Sequence, residues 1–126
     1  SAMSAQLTRL NTVASNLANA NNVSVSMDKA YRAIKPVFET KFADGLRQSG
    51  LASVDAVQIK EVNRLPEKVY MPEHPQANDE GFIFNAAVNV EEELVEMLEA
   101  SRQYQNNIEV VSTLRSLMMR TINMGK

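Results

Sequence analysis

The stretch VEEELVEMLEASRQYQNNIEVVSTLRSLMMRTINM, residues 90–124, decides how this chain folds. Val90, Leu94, Met97, Ser101, Tyr104, Ile108, Val111, Met118 and Ile122 recur at alternating steps of four and three, with Arg115 in the remaining slot. That spacing belongs to a helix whose apolar seam lies along another helix. Leu98, Val110, Leu114 and Leu117 widen the stripe, so more than one face is predicted to be covered. Asn89 stands where an N-cap belongs, and Glu92 three residues later completes a capping-box pattern. Glu91, Glu92 and Glu93 set negative charge against the positive end of the helix dipole. Arg115, Arg120 and Lys126 lie toward the other end, with Gly125 as the C′ residue. Neither Gly nor Pro interrupts residues 90–124. At 1.5 Å per residue the helix runs roughly 50 Å, far beyond what the core of so short a chain requires. Its excess length predicts contacts outside the chain itself.

Working outward, residues 3–21 repeat the pattern at Met3, Leu7, Leu10, Ala14 and Leu17. The opposite face carries Gln6, Asn11, Ser15, Asn16 and Asn19. These amides and hydroxyls read equally as a solvated face or as lateral hydrogen-bond partners between subunits. The helix is expected to fray through Asn19-Ala20-Asn21-Asn22, since Asn competes for backbone hydrogen bonds and tolerates the left-handed conformation. Ser1-Ala2-Met3 opens in mid-pattern, so the helix is expected to continue upstream.

Between the helices the period changes. Tyr31-Arg32-Ala33-Ile34 and Val57-Gln58-Ile59-Lys60 alternate as half-buried strands do, and Gly81-Phe82-Ile83-Phe84 reads as the last strand. Pro36, Pro66, Pro72 and Pro75 confine the region to short extended pieces and turns. Residues 41–53, with Gly45 and Gly50, carry no clear pattern. The expected class is α+β: long N- and C-terminal helices forming a coiled-coil-like α domain, with a small antiparallel β module inserted between them. The expected divisions are 1–22 for the first helix, 23–88 for the β module and 89–126 for the long helix. The helices are expected either to pair antiparallel or to run side by side.

Composition excludes several classes. The chain has 126 residues, 44% apolar and 22% charged, as an ordinary folded protein does, but only 6% aromatic and no Trp. Thirteen basic against fifteen acidic residues, net −2, supply no basic face for nucleic acid or anionic lipid. There is no Cys, which removes disulfides, thiolate nucleophiles and cysteine zinc sites. No apolar run reaches the ~18 residues of a membrane span, and no basic-then-apolar signal peptide is visible. His74, the only His, has no companion ligands and sits in a Pro-rich loop. No phosphate loop, nucleophile elbow or dinucleotide fingerprint occurs. The reading assigns no catalytic residue, cofactor or metal, and the chain is not read as an enzyme. The seven Met residues suit adaptable helix contacts, although core filling explains any single one as well.

Two terminal motifs resemble those of the flagellar axial family of rod and hook proteins. The first is Ser1-Ala2-Met3-Ser4-Ala5-Gln6 with Arg9-Leu10-Asn11 and Ala14-Ser15-Asn16-Leu17-Ala18-Asn19-Ala20-Asn21. The second is Asn89-Val90, Glu96-Met97 and Ala100-Ser101-Arg102-Gln103-Tyr104-Gln105-Asn106-Asn107. Tyr31-Arg32-Ala33 and the run Tyr70, Pro72, His74, Pro75, Ala77, Gly81, Phe82 resemble one proximal-rod member of the family rather than its neighbour FlgB. Asn85-Ala86-Ala87-Val88 departs from the aromatic, Pro-rich approach the family implies, and residues 41–53 match nothing in it.

The resemblance implies a structural subunit of the bacterial flagellar basal-body rod, polymerising through its terminal helices into the hollow shaft that transmits motor torque. It implies as partners copies of itself, FlgB, FlgF, FlgG and a FliE-like adaptor. The flagellar export apparatus would secrete the chain without a cleaved signal, and no nucleic acid or direct membrane span is implied. The expected subunit interface is Met3, Leu7, Leu10, Leu17, Leu94, Met97, Tyr104, Ile108, Val111, Leu114, Met118 and Ile122. The family motif rests on Ser15, Asn16, Leu17, Asn19, Arg102, Tyr104 and Gln105. Other classes stay open: a rod-associated peptidoglycan hydrolase using the Glu91–Glu93 cluster, or a soluble adaptor or export chaperone. An intramolecular hairpin of the two helices is the plain alternative to polymerisation.

Overall fold

A computed structural model describes residues 2–42 and 53–125. Ser1, residues 43–52 and Lys126 lie outside them, and with them the Gly45 to Gly50 stretch and the charge expected from Lys126. The element order is α1 (Ala2–Ala18), β1 (Val23–Ser24), β2 (Ile34–Phe42), β3 (Ser53–Glu61), β4 (Lys68–Tyr70), β5 (Phe82–Asn85) and α2 (Val90–Met124). The class is α+β, two terminal helices with small antiparallel sheets between them.

The second helix forms where its spacing and cap predict. Asn89, extended at φ −97°, accepts a hydrogen bond from the Glu92 amide at 3.0 Å. Only this half of the capping box is made, because the Glu92 carboxylate turns to Arg64 at 3.0 Å. Gly125 caps the far end at φ −82°, not in the left-handed conformation expected of it. Its N–H donates to the Thr121 carbonyl. The first helix ends at Ala18, where the Asn19 side chain donates to the Ser15 carbonyl at 2.8 Å. Among the described residues no Asn takes a positive φ, so the side chain rather than a left-handed backbone closes this end.

The β region divides into two sheets. One has the order β1-β5-β4, pairing Val23 with Asn85 and Val69 with Ile83. Ile83 and Phe84 point to opposite faces of β5 and both are buried, so this short sheet is covered on both sides. The other sheet is the β2–β3 hairpin, running from Ile34 opposite Glu61 to Phe42 opposite Ser53.

The hairpin corrects two expectations. The alternation at residues 31–34 predicts a strand there, yet the strand begins only at Ile34 and runs nine residues. Residues 31–33 instead make single links, Ala33 N–H to the Ala87 carbonyl and Ala87 N–H to the Tyr31 carbonyl. Pro36 lies inside the strand rather than ending it. Ile34 turns its backbone N–H and C=O toward α1, and two-residue alternation points Pro36 the same way. Its missing N–H therefore falls off the ladder, where a two-stranded sheet tolerates proline.

Gly81 closes the loop between β4 and β5 at φ +87°. A Cβ there would lie 2.7 Å from the Tyr70 ring, which meets Phe82 edge-on with centroids 5.2 Å apart. Lys68 Nζ sits 4.1 Å from the Phe82 centroid, so all three β4–β5 side chains depend on this turn. Gly81→Ala is expected to cost about 1–3 kcal/mol through left-handed strain and ring displacement. Gly125→Ala, whose Cβ would meet nothing closer than 3.7 Å, stays within about 0.5 kcal/mol of the parent. Urea unfolding of both variants checks the pair.

Candidate assembly surface

Arg9 on α1 pairs with Glu96 on α2, and Thr12 and Val13 border the same hollow as Glu92 and Glu93. Falling numbers on α1 thus meet rising numbers on α2, so the helices form an antiparallel hairpin. Among the described elements α1 is the only one packed on α2. Seventeen residues against thirty-five cover at most about half its length.

The covered half has its own seam. Ala100 is fully buried, and no larger side chain there would let the helices approach as closely. On α1 the buried positions are Thr12, Val13 and Asn16. The expected seam of Met3, Leu7, Leu10 and Leu17 is rotated from this face: Met3, Leu10 and Leu17 are half-buried and Leu7 is exposed. Thr12 and Val13 escaped the spacing argument because Asn16, one turn on, looked like a residue of the wet face. A pair of adjacent half-apolar positions ahead of a buried amide leaves no periodic signal.

Beyond Asn107 every described residue of α2 is exposed. Ile108, Val111, Leu114, Met118 and Ile122 all face solvent, Met118 at 66%. Leu94 and Met97 are exposed even in the covered half, and Tyr104 is half-buried. Val95, Leu98, Val110 and Leu117 are further exposed apolar positions, so within the single chain the widened stripe is not covered. An exposed apolar surface this long on so small a chain marks an interaction site. Among the described residues no helix is long and apolar enough to cross a membrane.

The motif residues part company. Asn16 is buried at 1% exposure, Ser15 and Asn19 are half-buried, and Arg102 and Gln105 are exposed on α2. Of the acidic cluster, Glu92 has structural employment in its pair with Arg64, as does Glu96 further along the helix in its pair with Arg9. His74 Nδ1 accepts from the Gln76 N–H at 3.0 Å, a bond internal to its loop.

Comparison with known proteins meets this geometry at both ends. The family described as "Flagella basal body rod protein" matches residues 1–24, and "Flagellar basal body rod FlgEFG protein C-terminal" matches residues 79–124. The flagellar basal-body rod protein FlgC of Salmonella typhimurium is 39% identical over 127 residues, covering all of this chain and 92% of its own length. The FlgC of Escherichia coli O157:H7 is 38% identical over 126 residues with the same coverage. The chain belongs to the FlgC family of flagellar basal-body rod proteins. The FlgC of Aquifex aeolicus, 32% identical over 126 residues, covers 91% of its own length in the match. FlgC membership makes the chain a structural component of the basal-body rod, in association with other rod components, and not an enzyme.

Ala100→Leu is expected to overpack the helix crossing, lowering stability by about 1–3 kcal/mol. Differential scanning calorimetry of the variant, with a clear fall in Tm, checks that the crossing is as tight as its zero exposure implies.

Proposed function

We propose that the free half of α2 is the seam through which this subunit joins copies of itself and sister rod proteins. One observation carries the reading: from Ile108 onward the helix presents apolar side chains along its length, and among the described elements none packs there. Isolated helix in water is marginal, so the arm gains stability only by packing on a neighbour. A head-to-tail contact of this kind that does not close on itself generates an open helical assembly. The assembling unit is then residues 1–22 with 89–126, and residues 23–88 form the module set between them.

The interface residues on this reading are Met3, Leu7, Leu10, Leu17, Leu94, Met97, Tyr104, Ile108, Val111, Leu114, Met118 and Ile122. Their neighbours are FlgB, FlgF, FlgG and a FliE-like adaptor beneath them, in a rod that spans the periplasm. Torque passes through many apolar contacts in parallel, none of which carries it alone. Delivery by the flagellar export apparatus, without a cleaved signal, agrees with a Cys-free chain that no disulfide would hold folded. Membership of the rod family supports each of these statements.

Met118→Asp and Leu94→Asp test the seam. Both positions are exposed in the single chain, so Tm of the purified monomer stays within about 2 °C of the parent. Motility in soft agar is expected to be lost, with basal bodies lacking the rod beyond this subunit. Normal swimming of both variants overturns the seam. A second outcome expected of the dilute monomer is less helix by circular dichroism than the 17 and 35 residues of α1 and α2 require. Full helicity at micromolar concentration would show that the arm needs no partner.

A further inference from the structure

Four parts of the molecule converge on one amide. Asn16, the largest fully buried side chain among the described residues, accepts at Oδ1 from the Ile34 N–H at 2.9 Å and from the Tyr31 O–H at 2.7 Å. Its Nδ2 donates to the Ile34 carbonyl at 2.9 Å. One side chain thereby supplies Ile34 with the donor and acceptor that a neighbouring strand would have offered. Since the single Tyr31 proton goes to Asn16, Ser15 Oγ at 3.2 Å donates to the phenol in turn. Ala33 accepts from the Val62 N–H just past β3 and donates to the Ala87 carbonyl, two residues before the α2 cap. Both roots of the hairpin and the entry to α2 therefore lie within one hydrogen bond of what Asn16 holds.

We propose that Asn16 is a latch that makes the direction of the β2–β3 hairpin conditional on the docking of α1. A two-stranded hairpin is marginal alone, and apart from its own pairing β2 packs only on α1 among the described elements. Apolar contact would hold the hairpin near the helix without fixing its angle, because such contact has no direction. Three hydrogen bonds to one amide plane do fix it. With α1 undocked, Ile34 loses both partners and the hairpin swings on its root. By reciprocity, whatever holds the hairpin still favours the docked helix by the same factor. The latch stands whether or not the free half of α2 is the polymerisation seam, because it is a property of the single chain.

The experiment uses the full chain. Gln58→Cys on the hairpin and Glu99→Cys on α2 are both exposed, and no native Cys competes for the spin labels. Pulsed electron resonance then reads the hairpin direction as a distance distribution. Asn16→Ala is expected to broaden it and to raise amide exchange at Ile34 about tenfold or more, with the Met71 amide, held by Gly81 across the β4–β5 loop, little changed. Val13→Ala removes buried contact from the same helix without touching the latch, and should leave the distribution sharp. Equal broadening in both variants, or none in Asn16→Ala, overturns the proposal. If Asn16→Ala does not fold, Tyr31→Phe decides: a selective rise in exchange at Ile34 over Met71 sustains the latch, and an unchanged ratio overturns it.

Discussion

A helix of 35 residues cannot be covered by one of 17, and this mismatch governs the molecule. α1 folds back on the cap-proximal half of α2 and stops, leaving roughly 25 Å of helix with no partner among the described elements. None of the described strands packs on α2. The apolar residues that a compact protein of this size would bury are thus spread along an arm. Among the described residues the buried apolar core is small: Val13, Ala33, Ile83, Phe84, Ala87 and Ala100, half of them alanine.

A core so slight gives little directional information, and polar contacts supply it instead. Arg9 and Glu96 set the sliding register of the two helices, both side chains about one-third exposed, so their attraction is screened and modest. Arg64 and Glu92 tie the loop after β3 to the first turn of α2. Asn89 fixes where α2 starts. The buried amide of Asn16 joins α1 to the hairpin root, and among the described side chains no buried polar atom is left without a partner. Stability and orientation are therefore carried by different residues, the alanine-rich contacts for one and single hydrogen bonds for the other.

Much of this was legible in the sequence, and the failures share a cause. The four-three spacing and Asn89 located α2, and the exposure of Ile108 to Ile122 follows from the helix being longer than its partner. The spacing of α1 located a helix but not the face it buries in its own chain, because a pattern that counts apolar residues leaves open whether an amide is solvated or bonded. Asn16 is bonded, and its burial depends on a backbone eighteen residues away that happens to present a matching N–H and C=O. Tyr31-Arg32-Ala33-Ile34 alternates like a strand, yet its hydrogen bonds go singly to Ala87 rather than to a ladder. Glu92 fits a capping box, but a guanidinium in reach outcompetes the return bond to the helix start. Each of these depends on partners brought by the chain's path, which no local window contains.

Pro36 carries a consequence for how the protein can and cannot associate. Exposed edge strands invite foreign strands to add on, and the outward side of β2 is such an edge. At its root that side offers no free donor: Ile34 has given its N–H to Asn16, and Pro36 has none to give. An incoming strand would find its first available amide only at Phe38. The β2 edge is thus closed near its base to the addition of a foreign strand, while the apolar side chains of the helical arm stay exposed.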